Sequence, residues 1–161
     1  MRPTAPEPIT AADSLTGFTC GKPQLDEWLI KTALRAERDH TARTYVSRDT
    51  DVSPPHVVGY YCLSAFSIER TTSGGGFLAR NAPTMVPAIL LGRLAVDISA
   101  QGCGLGVSLL HDAVDNAELV SRRIGSRALV VDAIDNNAAQ FYLKYGFRSF
   151  PSAPLRLFHR L

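Results

Sequence analysis

Gly92-Arg93-Leu94-Ala95-Val96-Asp97, followed at a short distance by Gln101-Gly102-Cys103-Gly104-Leu105-Gly106, is the stretch on which the fold turns. Residues 89–96 are apolar enough to form a strand. Residues 105–124 carry the 3.6-residue periodicity of a helix, with Gly125 expected as its C-cap. The glycine-rich turn therefore lies where a strand hands over to a helix. Unpaired backbone N–H groups and the positive end of the helix dipole meet at such a place and make an anion site. Glycine suits it, because a Cβ would hinder close approach of a phosphate. Two common phosphate-binding patterns are ruled out. The dinucleotide fingerprint GxGxxG needs a glycine where Val107 stands, and no Gly-Lys-Ser/Thr follows to make a P-loop. The bland alternative is that the glycines only turn the chain.

On the N-terminal side, Leu25, Trp28, Leu29, Ala33 and Ala36 recur at helical spacing. They predict one amphipathic helix over residues 24–40, with Pro23 at the first-turn position where proline is tolerated. Residues 43–47 and 57–68 are rich in Val, Tyr and Thr and read as strands joined by a hairpin across 48–56. On the C-terminal side, residues 128–133 form a short buried strand, 137–145 a short helix ended by Gly146, and 155–159 a last strand. Surface loops are expected at Ser53-Pro54-Pro55 and Ser73-Gly74-Gly75-Gly76. The expected order is helix, three strands, helix, strand, helix, strand. A β-meander feeding a βαβ-like unit makes an α/β (α+β) protein with a mixed sheet and helices on both faces.

A chain of 161 residues is expected to form one domain, 1–161. With 45% hydrophobic and 20% charged residues it is neither disordered throughout nor fibrous. The longest uncharged stretch, residues 53–68, contains Pro54, Pro55 and His56 and falls short of the roughly 18 apolar residues of a membrane span. No apolar leader is visible in Met1-Arg2-Pro3-Thr4-Ala5-Pro6-Glu7-Pro8, so a cytoplasmic location is expected. Cys20, Cys62 and Cys103 are far apart and in no CxxC pair, and His40, His56, His111 and His159 show no ligand spacing. Neither a disulfide framework nor a metal site is expected. A net charge of +2 does not announce a nucleic-acid binder globally, although a local basic stripe could act as one.

The strand Gly92 to Asp97 with Gln101-x-x-Gly104-x-Gly106 resembles the coenzyme A motif of GNAT acetyltransferases. The resemblance implies acetyl-CoA as cofactor. Its pyrophosphate would be held by Gln101, Gly102, Cys103, Gly104, Leu105 and Gly106, and its pantetheine arm by the free backbone of a bulged Leu94, Ala95 and Val96. Asn136-Asn137-Ala138-Ala139-Gln140-Phe141-Tyr142-Leu143-Lys144-Tyr145-Gly146-Phe147 is similar to the superfamily's closing segment A-x-x-F-Y-x-x-x-G-F. It adds Asn137 and Phe141 to the cofactor site and makes Tyr142 the general acid that protonates the departing thiolate. Neighbours on a helix lie about 100° apart, so Phe141 and Tyr142 cannot both face the core and one is free for chemistry. Tyr145, beside Gly146, is read as packing.

No carboxylate stands out as a general base. Asp97 could orient a water or cap the turn. A lysine amine is only about a thousandth free base near neutral pH, whereas an α-amino group is about a third free base. Without a strong base, the chain is better matched to an α-amine.

Residues 17–29, with Ala33, Thr41-Ala42-Arg43-Thr44-Tyr45-Val46 and Gly59-Tyr60-Tyr61, resemble GNAT-type toxins of bacterial toxin-antitoxin modules. This resemblance implies acetylation of the amino acid carried on charged tRNA, which blocks translation. It also implies a ribbon-helix-helix antitoxin, a toxin homodimer, and DNA contact only through the antitoxin, with no membrane partner. Cys103 departs from the pattern, since a larger polar or basic residue is common there. Lys31, Arg35 and Arg38 fall at i, i+4 and i+7 on the predicted first helix and make one basic face. Lys22 lies just before it, and Arg43, Arg80 and Arg93 could extend it toward tRNA phosphates. The bland alternative is a solvated face with Glu27 pairing Lys31. Rival functions are acetylation of protein N-termini, lysines or a small amine, and a catalytically silent acyl-CoA-binding module.

Overall fold

The computed structural model describes residues 1–161. Seven strands and four α-helices follow one another as β1 (Glu7–Pro8), α1 (Pro23–Lys31), α2 (Ala33–Arg38), β2 (Arg43–Asp49), β3 (His56–Glu69), β4 (Met85–Val96), α3 (Leu105–Ser121), β5 (Ala128–Asp132), α4 (Asn136–Lys144), β6 (Arg148–Phe150) and β7 (Ala153–Arg160). The strands form one sheet in the order β1-β2-β3-β4-β5-β7-β6. β4 and β5 pair in parallel, as a strand–helix–strand crossover through α3 requires. The pairs β1–β2, β2–β3, β5–β7 and β6–β7 are antiparallel. This is the expected mixed, mostly antiparallel sheet. No helix is long and apolar enough to cross a membrane. Contacts divide the chain into two compact units, Met1–Ser64 with Arg93–Ala113, and Ala65–Gly92 with Val114–Leu161.

In the first unit, Leu29, Ala33, Val46 and Tyr60 are wholly buried with Ile9, Leu15, Phe18, Val57 and Ala95. Full burial of a leucine such as Leu29 is worth about 1.5–3 kcal/mol. Trp28 stacks on Tyr60 at 6.0 Å and Phe18 meets the same ring edge-on at 5.7 Å. The Tyr60 hydroxyl donates to the Leu25 carbonyl at 2.7 Å, tying α1 to β3. Burial holds that phenol neutral by pushing its pKa well above the ordinary tyrosine value.

The single helix expected over residues 24–40 is two. Thr32, with φ of −124°, leaves helical geometry between α1 and α2. The apolar stripe survives the break, because Leu29, Ala33 and Ala36 all remain buried. Pro23 starts α1 as expected.

In the second unit, Ile68, Leu78, Ala82, Val86, Ala88, Ala128, Val130 and Phe150 form the core. Asp135 caps α4 by accepting from the Ala138 amide at 2.8 Å, and Gly146, with φ of 95°, ends it. Two strands were not expected from sequence. β1 has two residues and β6 three, too short for a period-2 pattern to register. α3 ends at Ser121, earlier than expected. Gly125 does not take the left-handed conformation of a C-cap, because turn bonds from Arg122, Arg123 and Ile124 to Glu118 and Val120 already close the helix end.

Candidate active site

β4 ends at Val96, and Asp97 turns the chain. One Asp97 carboxylate oxygen accepts from the Ser99 amide at 3.0 Å and hydroxyl at 2.7 Å; the other accepts from the Thr19 amide at 2.8 Å. Of the two readings left open for Asp97, these bonds describe the cap. The Gln101 side-chain amide donates to the carbonyls of Cys20 at 3.0 Å and Val96 at 2.9 Å, so this side chain braces the turn. The Cys103 thiol donates to the Ala100 carbonyl at 2.8 Å, which suits a small residue that closes the turn on itself.

What remains is a run of main-chain donors. The Ser108 amide is the first to find a helical acceptor, the Gly104 carbonyl at 3.1 Å, and no main-chain carbonyl takes the amides of Gly102, Cys103, Gly104, Leu105, Gly106 or Val107. Gly102 and Gly104 have φ of +81° and +85°. A Cβ at either would meet nothing within 4 Å. Glycine is thus demanded here by left-handed backbone geometry, and not by crowding around a Cβ. Beside them lies a cavity of about 510 Å³, walled by Gln101, Cys103, Gly104, Leu105 and Ser108 and by an N-terminal segment that includes Met1, Pro3 and Thr4. That segment is anchored to β2 by the Thr4 amide on the Arg48 carbonyl at 2.8 Å and by Arg48 binding Glu7 and Asp13. Nothing in its sequence pattern pointed to this role.

α3 is held close under the turn by Gly59 on β3. A Cβ there would lie 3.0 Å from Leu109 and 3.1 Å from Leu105, tighter than ordinary contact. Of the β4 residues assigned to the pantetheine arm, Ala95 is buried and Leu94 and Val96 are half-buried. Cys20, beside Gln101, is a neutral thiol near neutral pH, because burial and the neighbouring Asp26 carboxylate push it up to about 11.

Tyr142, Phe141 and Asn137 belong to α4 in the second unit. Tyr142 is 5% exposed, its ring tilted against Phe147 at 5.5 Å and edge-on to Phe141 at 5.3 Å. Phe141 is half-buried and meets Tyr145 at 5.2 Å; Asn137 is exposed in the first turn. The tyrosine, more than the phenylalanine, is therefore the core-facing partner of the pair. Tyr145 is half-buried with Lys144 over its ring at 5.6 Å, in keeping with packing.

The break at Thr32 spreads the proposed basic residues over two helices. Lys31 ends α1 and pairs with Glu27 at 3.7 Å, whereas Arg35 and Arg38 sit on α2, exposed and without a carboxylate partner. Lys22 is exposed just before α1. Arg43 is bound to Glu37 at 3.2 Å and to His40 at 2.9 Å. Arg93 is half-buried, its guanidinium 4.5 Å over Trp28. Arg80 belongs to the second unit, where its carbonyl accepts from Arg127.

The acetyltransferase (GNAT) domain family matches residues 40–149. A "tRNA-acetylating toxin" of Mycobacterium tuberculosis is 40% identical over 155 residues, covering 96% of this chain and 90% of that protein. Among solved structures, AtaT complexed with acetyl-methionyl-tRNAfMet superposes with a TM-score of 0.89 at 29% identity, covering 99% of this chain and 95% of that one. A tyrosine-to-phenylalanine mutant of AtaT bound to the C-terminus of the antitoxin AtaR and acetyl-CoA gives a TM-score of 0.82 at 28% identity, covering 98% and 92%. With a strand, an amide-lined glycine turn and a closing Phe-Tyr helix in the family's order, and with likeness along nearly its whole length, the chain belongs to the GNAT acetyltransferases.

Proposed function

We propose that this protein transfers the acetyl group of acetyl-CoA to the α-amino group of the amino acid on charged tRNA, and so acts as a translation-blocking toxin. One observation carries the reading: 40% identity over 96% of the chain to a protein named for acetylating tRNA. The free amides of residues 102–107 agree with it, since they offer a pyrophosphate the donors it needs without a cationic side chain.

In the reaction the amine nitrogen forms a bond to the thioester carbon, the carbon–sulfur bond breaks, and the amine proton is lost to water. Tyr142 gives its hydroxyl proton to the departing sulfur and regains one from water, so the proton lost by the amine balances the one gained by the thiol. No strong base is required, because an α-amino group is substantially free base near neutral pH, unlike a lysine amine. Gln101, Gly102, Cys103, Gly104, Leu105 and Gly106 form the pyrophosphate turn, Gln101 as its brace. Leu94, Ala95 and Val96 serve the pantetheine arm, with Asn137 and Phe141 beside Tyr142. Arg35 and Arg38 are the phosphate contacts best supported by their free, exposed side chains; Lys22, Lys31, Arg43, Arg80 and Arg93 complete the set.

Residues 1–161 act as one catalytic domain, in the cytoplasm where charged tRNA is found, and as a homodimer. A ribbon-helix-helix antitoxin restrains the enzyme and supplies any contact with DNA, as the AtaT complex with the C-terminus of AtaR suggests by analogy. The test is labelled acetyl-CoA with total charged tRNA. Label is expected on the α-amino group of aminoacyl-tRNA. Label found only on free amines, lysines or protein N-termini overturns the reading, and no turnover at all identifies a silent acyl-CoA-binding module.

A further inference from the structure

The geometry points to a phosphodiester-binding cleft at the β6–β7 edge of the second unit, which receives the backbone of charged tRNA. The choice of occupant rests on the function proposed above. β6 is the terminal strand of the sheet. Its Arg148 stands directly opposite Phe158 of β7, so the two side chains share a face. Arg160, two residues beyond Phe158, points the same way. Arg148 and Arg160 are thus diagonal neighbours, about 7–8 Å apart and within reach of one another's long side chains. A cleft of about 140 Å³ lies among Gly146, Arg148, Phe158, His159 and Arg160, with room for a phosphate group.

Neither arginine has a carboxylate partner, although Arg156 on the same strand binds Asp132 at 2.7 Å. Arg160 lies 4.0 Å over the Phe77 ring, and Arg127 approaches that ring at 5.6 Å. The Arg127 guanidinium is fixed by the carbonyls of Phe77 and Arg80. Arg148 and Arg160 therefore line the cleft with no acid beside them, and Arg127 shares the Phe77 ring with Arg160, while the His159 ring lies on the opposite face of β7 against Phe147 at 5.5 Å. Like charges at this spacing repel, and an anion relieves the repulsion. A guanidinium resting over an aromatic ring retains N–H groups that can meet phosphate oxygens. That combination of stacking surface and cationic fork fits RNA better than an acidic peptide.

The experiment measures binding of deacylated tRNA to the full chain across a salt series, for the wild type and for Arg148→Glu/Arg160→Glu. Affinity near 0.1 M salt is expected to fall at least about tenfold, and the log–log salt slope to lose about 2, close to one counterion per arginine. Acetyl transfer to an aminoacyl ester of adenosine, which has no phosphodiester, is expected to stay within about twofold. kcat/KM on charged tRNA falls with the affinity. Unchanged tRNA affinity and slope overturn the cleft. So does loss of self-association or antitoxin binding with tRNA affinity intact, which hands the surface to a protein. If the charge-reversed variant does not fold, Arg148→Gln/Arg160→Gln is judged by the same slope. Should the wild type acetylate no charged tRNA, the functional reading fails, while the slope with deacylated tRNA still decides the cleft.

Discussion

The turn after β4 and the helix α4 solve different problems with different parts of the chain. In the first unit the proposed binding groups are main-chain amides, left over because a helix begins there, and the side chains of Gln101 and Cys103 brace the turn. In the second unit the proposed chemistry depends on one side chain, Tyr142, whose ring lies against Phe141 and Phe147. A main-chain site tolerates side-chain changes and fails when backbone geometry fails. A side-chain site tolerates backbone adjustment and fails when one atom is lost.

The sharpest way to test that contrast is Tyr142→Phe, which keeps the ring in its aromatic setting and removes only the proton donor. Turnover should drop roughly 10²- to 10⁴-fold, with acetyl-CoA affinity and melting temperature nearly unchanged. A wild-type rate moves the acid elsewhere and breaks the comparison on the side-chain side.

Next in size is Gly104→Glu. It forces a non-glycine residue to φ of +85° and sets a carboxylate before amides that wait for an anion. Calorimetry should register loss of acetyl-CoA binding by about two orders of magnitude or more. Because a side chain at this position meets nothing, the fold should remain cooperative, at a cost of about 1–2 kcal/mol for the backbone alone. Undiminished affinity means the amides do not hold the pyrophosphate.

The smallest effect is expected for Gly59→Val, at a position that supplies no binding group itself but abuts Leu105 of the turn. The added atoms press on Leu105 and Leu109, which already stand 3.1 Å and 3.0 Å from a modest Cβ, and push on the start of α3. Overpacking of this kind costs about 1–3 kcal/mol. Weakening of acetyl-CoA binding with kcat intact, read by denaturant melts beside steady-state kinetics, would show that the turn depends on where α3 is seated. Lost kcat with normal affinity would refute it.

The glycine turn and the Phe-Tyr helix were legible because each is a local device. A strand, a glycine-rich turn and a helix start lie within fifteen residues, and Gly146 marks the end of α4, while its Asp135 cap was found only in the structure. The chemistry proposed for them follows from which groups a helix N-terminus leaves unpaired and which proton a phenol carries. Local pattern also described the apolar stripe of the first helical region, Leu29, Ala33 and Ala36, correctly in burial. It missed the break at Thr32, which no proline or glycine marks, so Lys31 stands on α1 and Arg35 and Arg38 on α2, all three exposed.

What lay beyond sequence was every relation between residues far apart in the chain. β1 and β6 are strands only because β2 and β7 offer them partners; two or three residues have no intrinsic preference strong enough to show. The role of Gln101 as a brace needs the Cys20 carbonyl, 81 residues away, and the cavity beside the turn needs a segment from the start of the chain. Arg148 and Arg160 look like two scattered surface charges until strand register sets them on one face over Phe158, with Phe77 brought alongside from another loop. Residue type and short-range spacing specify which groups the chain owns. Cross-strand pairing and burial, which sum over contacts between distant segments, decide which of those groups meet.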